Sequence, residues 1–456
     1  MNTLLVVAGL GIFGLFSEIF KLKKALIPVV FIGLAAALFT IVQDWNSNIS
    51  YFNNMMRVDN FSLAFSALLV TITLLWFIIA PVFFKDESSK SDHFSLILFA
   101  LTGGILMTSF NNMLMLFLGI EILSISMYIL AGSNKTNLSS NEAALKYFLL
   151  GAFATGFLLF GIALVYGATA SFDISIISER IASGSLTSSW MLYSGILLML
   201  VAMAFKVSAA PFHFWAPDVY QGSPTVITAY MSTVVKAAAL AAFFRLFSNT
   251  FMLVPEMWQQ TLIILSAATI LVGNITAVFQ TNIKRLLAYS SIAHAGYMIM
   301  AVVAMNGTAG SALLFYAIAY TFSSLASFVI LLLVSNSTGS ETIESFYGLR
   351  KKNPFLAVMT VIAMLSLAGI PPTAGFFAKY YIFIGAMQNH LLYLVLIAIV
   401  GSLIGVYYYF RVIIALFREG PESVIQISFN MKLVLVICAG VALVLGIVPG
   451  LITGLI

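Results

Sequence analysis

Charged side chains are scarce in this 456-residue sequence. Only 8% of its residues are Asp, Glu, Lys or Arg, whereas 61% are hydrophobic, and soluble domains average about 25% charged residues. This scarcity excludes an ordinary soluble protein, and the mean hydropathy of +1.07 agrees with that conclusion. The net charge of +5 gives no indication of nucleic-acid binding. We therefore expect the chain to lie in a lipid bilayer.

Cysteine is rarer still, because Cys438 is the only one. One thiolate can neither hold an iron–sulfur cluster nor form a disulfide within the chain. Any electron transfer coupled to this protein must therefore take place in partner chains, and no cofactor or metal is expected in this one.

Long apolar runs are what the sequence has instead. The uncharged stretches 61–84, 257–283 and 307–335 exceed the roughly 20 residues that cross a bilayer core. A backbone in hydrocarbon satisfies its own hydrogen bonds as a helix. The sequence therefore predicts an all-α polytopic membrane protein of about fourteen transmembrane helices. They are expected near 3–20, 25–43, 60–84, 94–110, 112–131, 143–168, 190–210, 224–248, 258–280, 285–305, 309–335, 355–388, 391–417 and 431–454.

The basic residues are distributed unevenly between the two sets of loops. Thirteen fall in odd-numbered loops and two in even-numbered loops, and basic loops face the cytoplasm. Both termini are therefore expected on the outer, periplasmic side, with no cleavable signal peptide. The odd loops hold Lys21, Lys23, Lys24, Lys85, Lys90, Lys135, Lys284, Arg285, Arg350, Lys351, Lys352, Arg418 and Lys432, and the even loops hold Arg57 and Arg180.

Two membrane helices are expected to be broken. Pro211 interrupts the seventh, and Pro371-Pro372 interrupts the twelfth, 371 − 211 = 160 residues later, because proline removes a helix donor. A lysine lies near each break, Lys206 before the first and Lys379 after the second. Paired broken helices at matching positions indicate an inverted-repeat transporter core.

Four ionisable residues lie where a charge is costly. Glu121, Lys206, Lys236 and Lys379 fall inside apolar helices, where a charge costs about 2.5–3.5 kcal/mol. One interpretation is structural pairing. The other is a proton relay, in which a nearby carboxylate favours the protonated lysine and its withdrawal favours release. Lysine suits such a relay better than arginine, which keeps its proton.

Other polar residues are candidates of lower weight. Lys146 lies four residues after Glu142, a favourable spacing on a helix, and is either a relay intermediate or an interfacial base. His294 is either a near-neutral proton carrier between Lys236 and Lys379 or a packing residue. Two further groups are expected to have simple roles. Lys284 and Arg285 set topology, and Arg245 and Arg411 lie near helix ends, where long side chains snorkel to water.

At these motifs the chain resembles subunit N of bacterial NADH–quinone oxidoreductase, respiratory complex I, an antiporter-like subunit. The resemblance spans essentially the full length. It is carried by SSNEAALKYFLLGAFATG (139–156), FKVSAAPFHFWAPDVYQGSPT (205–225), QTNIKRLLAYSSIAHAGY (280–297) and LAGIPPTAGFFAKYY (367–381).

This resemblance implies two inverted repeats of five helices, the fourth to eighth and the ninth to thirteenth, each with a broken helix. The corresponding segments are 1–90 for the first three helices, 91–250 and 251–420 for the repeats, and 421–456 for the last helix. It also implies that Glu121 and Lys206 form the coupling pair, Lys236 is central and Lys379 ends the relay, with Lys146 and His294 as intermediates.

The resemblance also implies a setting. NAD, flavin, iron–sulfur clusters and quinone would belong to partner subunits. Partners would be neighbouring antiporter-like and small hydrophobic subunits of the membrane arm in the bacterial inner membrane. One departure is Ala170, where the family commonly has glycine, and only a local change at that helix end is expected.

Two other function classes remain open at this point. A D-type subunit of a multisubunit sodium/proton antiporter would share the fold and the buried lysines. A stand-alone transporter of a small solute fits less well, because the polar groups inside the membrane are titratable and few could grip an organic molecule.

Overall fold

The structure, a computed structural model, describes residues 1–82, 84, 90–420 and 425–454. Lys85, one of the basic loop residues, lies outside these ranges. The helices of the first half are α1 Asn2–Ile19, α2 Lys23–Gln43, α3 Asn60–Ile79, α4 Lys90–Ser109, α5 Met113–Ala131, α6 Leu138–Thr169, α7 Ile174–Ala182, α8 Ser189–Lys206, α9 Trp215–Gly222, α10 Thr225–Tyr230 and α11 Lys236–Asn249. Those of the second half are α12 Gln259–Val278, α13 Ile283–Ala304, α14 Ala309–Thr338, α15 Leu349–Lys352, α16 Pro354–Ala368, α17 Ala374–Gln388, α18 Leu392–Ala415, α19 Phe429–Ile447 and α20 Gly450–Thr453.

The described residues contain 13 helices long and apolar enough to cross a membrane, counting 225–249 as one span. A further span is divided into α16 and α17, which supplies the fourteenth, so the all-α polytopic fold is confirmed. The strand content of the described chain is one hairpin, β1 Ile49–Tyr51 with β2 Met56–Val58. The protein is therefore a multi-pass membrane protein.

Polar side chains begin many of the membrane helices. Asp59 forms a capping box with Ser62 at the start of α3, and Asn112 and Asn137 accept from backbone amides at the starts of α5 and α6. Such caps satisfy amides that have no partner within the helix. Because the capping residues are polar, each of these helices begins close to the start of an apolar run. The apolar runs in the sequence therefore located the membrane helices.

The predicted breaks are both present. α8 ends at Lys206, five residues before Pro211, and α9 starts only at Trp215. α16 ends at Ala368, and α17 starts at Ala374 after Pro371-Pro372. One irregularity was not expected, a π-helical turn at Met231–Val235 immediately before Lys236.

The described chain forms two compact units. The first contains Met1–Ser208 and Val234–Leu262. Within it α4 packs against α1, α3, α5 and α11, while α6 lies along α8. Gly161 and Gly195 allow that close approach, since a Cβ on either would lie within 3.0 Å of the other's carbonyl oxygen.

The second unit contains Ala209–Thr233 and the chain from Ile263 onward. The long helix α14 is its centre and packs against α13, α16, α17 and α19. Gly375, in the first turn of α17, fits closely under α16, because a Cβ there would lie 1.7 Å from the carbonyl oxygen of Ser366.

Ala170 ends α6 in the left-handed conformation with φ of 49°. Glycine adopts this conformation readily, whereas a Cβ costs about 1–2 kcal/mol.

Arg245 is not a snorkelling residue, so that expectation was wrong. Its side chain is 2% exposed and donates to the carboxylate of Asp59 at 2.9 Å and to the carbonyl oxygen of Phe110 at 2.8 Å. A buried guanidinium is tolerated only when its donors are satisfied. Here the carboxylate of Asp59, which caps α3, and the carbonyl oxygen of Phe110 accept hydrogen bonds from the guanidinium inside the first unit.

Lys284 likewise does more than set topology. It is buried in the second unit, where its Nζ donates to the carbonyl oxygen of Ser223 at 2.6 Å and pairs with Glu341 at 3.4 Å. Arg285, its neighbour, pairs with Asp218 at 2.8 Å. Lys284 and Arg285 therefore hold the start of α13 against the segment around α9. Counting basic residues in loops could not reveal this structural role.

Candidate proton-relay site

Lys206 is the last residue of α8 and is buried, with 7% of its surface exposed. Its Nζ donates to Ser124 Oγ on α5 at 2.6 Å. Ser124 in turn donates to the carbonyl oxygen of Ile120. Glu121 lies on the same helix, one turn before Ser124, and its Oε1 is buried without a hydrogen-bond partner in the described chain. The arrangement is therefore a lysine held by a serine, with the carboxylate close by but not engaged.

A small cavity of about 10 Å³ lies beside Lys206, roughly the space that one water molecule needs. Ser124, Tyr128 and Gly151 are among its lining residues. Gly151 is required here, since a Cβ would lie 2.0 Å from the Tyr128 hydroxyl. Polar groups and space for one water on the α6 side of Lys206 suit proton transfer by a short hydrogen-bonded path.

Lys236 is the first residue of α11, directly after the π-helical turn. It is buried, and its Nζ donates to Ser208 Oγ at 3.1 Å. Ser208 lies two residues beyond Lys206 and has a φ of 58°. The end of α8 thus carries Lys206, and two residues later Ser208 accepts the hydrogen bond of Lys236.

Lys146 forms the ion pair with Glu142 that its spacing predicts, at 2.7 Å. Both side chains are substantially exposed, so the pair lies at the surface of α6. The residue after it, Tyr147, is buried, and Lys206 Nζ lies 6.0 Å from its ring centre. Lys146 is thus next in sequence to a residue that contacts Lys206.

His294 is buried in α13 with a hydrogen-bond partner on each ring nitrogen. Nδ1 lies 2.8 Å from the Tyr316 hydroxyl and Nε2 lies 3.1 Å from the Tyr409 hydroxyl. Tyr409 also bonds Ser290, one turn before His294. A neutral imidazole with one donor and one acceptor partner can pass a proton between them.

Lys379 is buried in α17 and faces the end of α16. Its Nζ donates to the carbonyl oxygen of Ala368 at 2.7 Å and to Ser402 Oγ at 2.8 Å. Ala368 ends α16, and a helix C-terminus carries partial negative charge that favours a cation. Gly369 is needed for this approach, since it has a φ of 81° and a Cβ there would lie 3.0 Å from Nζ.

A buried series of hydrogen bonds and ring contacts connects the surroundings of His294 and Lys379. The rings of Tyr409 and Tyr408 lie 4.4 Å apart, and the Tyr408 hydroxyl donates to Asn274 Oδ1 at 3.1 Å. Asn274 Nδ2 donates to the Tyr297 hydroxyl at 3.1 Å, and Lys379 Nζ lies 5.3 Å from the ring centre of Tyr297.

The structure therefore groups the expected residues by unit. Glu121, Lys206 and Lys236 belong to the first unit, and His294 and Lys379 to the second. Sequence reasoning missed the hydroxyl and amide groups between them. The one feature of the sequence that could have indicated these groups is a polar residue inside an apolar helix. Ser124 is an example, because it lies three residues after Glu121 and so on the same helix face. The missed residues are Ser124, Ser208, Tyr316, Tyr409, Ser402, Tyr297 and Asn274.

No cluster of His, Cys, Asp or Glu suited to a metal ion occurs among the described residues. The titratable groups of this site are instead lysines, one histidine, one carboxylate and several tyrosines. Such a set can take up, hold and release protons.

Comparison with known proteins defines the class first. The family described as NADH:quinone oxidoreductase/Mrp antiporter, TM, matches residues 109–405. The Mrp complex from Dietzia sp. DQ12-45-1b contains a chain of the same fold, with a TM-score of 0.90, 19% identity and coverage of 100% of this chain and 95% of that one. The chain thus belongs to the family of antiporter-like membrane subunits.

Within that class, the chain belongs to the subunit N family of NADH-quinone oxidoreductases. It is 45% identical over 453 residues to NADH-quinone oxidoreductase subunit N of Cytophaga hutchinsonii, covering 98% of each sequence. It also matches a chain of respiratory complex I from Thermus thermophilus with bound aureothin. That match has a TM-score of 0.86 and 34% identity, and it covers 99% of this chain and 98% of that one.

Proposed function

We propose that this chain is a membrane-arm subunit of a proton-pumping NADH–quinone oxidoreductase and moves protons through Glu121, Lys206, Lys236, His294 and Lys379, with Lys146 as an intermediate. The full-length similarity to subunit N of Cytophaga hutchinsonii carries the assignment to the complex. The buried lysines and histidine support the assignment of the relay. NAD, flavin, iron–sulfur clusters and quinone are held by partner subunits, as are the redox steps.

Lys206 acts in this proposal as a switch with two acceptors. When Glu121 engages it, the carboxylate stabilises the protonated amine; when Lys206 turns to neutral Ser124, burial favours release of the proton. Quinone reduction elsewhere in the complex changes the charge near Glu121 and so drives the exchange. Moving one charge against a membrane potential costs about 2.3 kcal/mol per 100 mV. Making or breaking the ion pair of a buried charge changes the free energy by enough to meet this cost.

The proton then passes from Lys206 to Lys236 and from His294 to Lys379. The transfer from Lys206 to Lys236 uses the Ser208 hydroxyl in the irregular chain after α8. The transfer from His294 to Lys379 uses the tyrosine hydroxyls around His294 and the polar groups between them and Lys379. Ala368 and Ser402 stabilise the proton on Lys379 before it leaves.

The proposed setting is the bacterial cytoplasmic (inner) membrane, with both termini on the periplasmic side. The thirteen-to-two distribution of basic residues between loops supports this orientation. The proposed partners are neighbouring antiporter-like and small hydrophobic subunits of the membrane arm, within the lipid bilayer.

Purification of the tagged chain in mild detergent tests this assignment against the sodium/proton antiporter alternative. We expect NADH oxidation coupled to quinone reduction to co-purify with large iron–sulfur and flavin subunits. A preparation that contains only small hydrophobic companions and oxidises no NADH would instead favour the antiporter, and sodium–proton exchange by Lys206 variants would then be measured.

A further inference from the structure

A cavity of about 400 Å³ lies in the second unit, away from the relay residues. It is bounded by the last turn of α18, by Thr281 before α13 and by the 3₁₀ turn Ile343–Phe346. Its polar lining is provided chiefly by Arg411, Arg418, Tyr347 and Glu344. This cavity lies at the end of a membrane helix and is lined by two arginines, whereas the helices around it are packed through apolar side chains.

The two arginines are held in place by groups that do not neutralise them. Arg411 donates to the carbonyl oxygens of Val278 at 2.5 Å and Gln280 at 3.2 Å. Arg418 donates to the Tyr347 hydroxyl at 2.8 Å. Within the described ranges neither has a carboxylate at ion-pair distance, and each guanidinium has further N–H groups to donate. The cavity thus holds two positive charges suited to a phosphate group.

Glu344 adds a negative charge to the same cavity. Its side chain is exposed and forms no ion pair with any residue that the structure describes. A free phosphate would be repelled by this carboxylate. A ligand that carries a cation beside its phosphate would satisfy all three charged groups.

The apolar surface beside the cavity indicates where such a ligand would lie. Ile414 lines the cavity and is 51% exposed, and Phe417 is 57% exposed. They end a row of exposed apolar side chains that runs along α18 from Leu396. At 1.5 Å per residue this row is about 32 Å long, close to the thickness of a bilayer core. Basic pockets at the ends of membrane helices are suited to lipid headgroups.

We propose that this cavity binds the headgroup of a phospholipid that carries both a phosphate and a primary ammonium, as phosphatidylethanolamine does. The phosphate lies between Arg411 and Arg418, and the ammonium lies against Glu344. The acyl chains follow the exposed row of α18. The site is independent of the proton relay, and so of the function proposed for it.

A photoreactive phosphatidylethanolamine, incorporated in proteoliposomes with the intact purified complex, tests the site. Cross-linked peptides are then identified by mass spectrometry. We expect labelling of the peptides that contain Tyr347 and Ile414. In the Arg411→Gln/Arg418→Gln double variant this labelling should fall at least tenfold, and in Arg418→Gln alone at least threefold. Lys351→Gln makes the same charge change just outside the cavity and should leave labelling unchanged.

The lipid chemistry is tested separately. Glu344→Gln should abolish the preference for photoreactive phosphatidylethanolamine over photoreactive phosphatidylglycerol. Unchanged labelling in Arg418→Gln, which alters an exposed side chain and is expected to assemble, would overturn the proposal. Displacement of the lipid by inorganic phosphate would also overturn it, because the occupant would then be a soluble anion.

Discussion

At the residue scale, the face of α5 that carries the partner of Lys206 also carries a carboxylate. Glu121 and Ser124 are three residues apart, and the lysine donates to the serine at 2.6 Å while Glu121 Oε1 lacks a protein partner. A carboxylate carries a negative charge and a hydroxyl does not, so the two groups differ in how strongly they stabilise a protonated lysine. In the proposed relay, exchange of Lys206 between them changes its proton affinity.

Ser124→Ala should remove one of the two positions of Lys206. A hydrogen bond to a charged group is worth about 1.5–3 kcal/mol, so we expect proton pumping to fall about tenfold while the complex still assembles. The measurement is proton uptake or release per electron in proteoliposomes. Ser126→Ala is the matched control, because Ser126 is on the same helix and bonds the carbonyl oxygen of Ile122. Equal pumping in both variants would contradict the two-position account.

At the scale of the elements, the helices of the second unit are linked through hydroxyl groups. Tyr409 on α18 bonds both His294 and Ser290 on α13, and Tyr316 on α14 bonds the other ring nitrogen of His294. These bonds fix the orientation of the imidazole between three helices. They also offer its proton a path through protein groups.

Tyr409→Phe keeps the ring and removes only this hydroxyl. A neutral hydrogen bond is worth about 0.5–1.5 kcal/mol, so pumping coupled to NADH oxidation should slow by about 2–10-fold. Tyr407→Phe, at an exposed neighbouring position, should have no effect. The rate of proton translocation at saturating NADH would be compared in the two variants. If Tyr409→Phe pumps as fast as Tyr407→Phe, the hydroxyl has no part in the relay.

The elements themselves could largely be predicted from sequence, because lipid imposes one strong constraint. A long apolar run must be helical in lipid, so the lengths of the apolar runs located the membrane helices. Pro211 and Pro371-Pro372 located the two breaks. The π-helical turn before Lys236 was not predicted, since no residue type demands it. It places a buried lysine at a point where regular helix packing is interrupted.

The partners of the buried charges were much less predictable. Arg245 and Arg411 look alike in sequence, each near a helix end, yet Arg245 is buried on Asp59 while Arg411 lines an open cavity. The difference arises from residues far away in the chain, such as Asp59. Ser124 was not predicted because a lone serine in an apolar helix usually bonds its own backbone. Tyr409 was not predicted because its partners, Ser290 and His294, lie more than a hundred residues away in the chain.

At the scale of the whole molecule, the described chain contains two compact units, each with buried lysine and its own irregular segment. The first has Lys206 and Lys236 around the break after α8, and the second has Lys379 facing the end of α16. A chain with this many buried titratable groups and no expected redox centre is suited to moving protons with energy released in partner subunits.

Lys206→Ala tests the central claim most directly. The variant complex would be reconstituted in liposomes, and protons translocated per electron would be measured during NADH-driven quinone reduction, with the exposed loop variant Lys135→Ala as control. The account predicts that pumping per electron falls sharply in an assembled Lys206→Ala complex and stays normal in Lys135→Ala. An assembled Lys206→Ala complex that pumps as many protons per electron as the control would contradict the proposed role of this lysine.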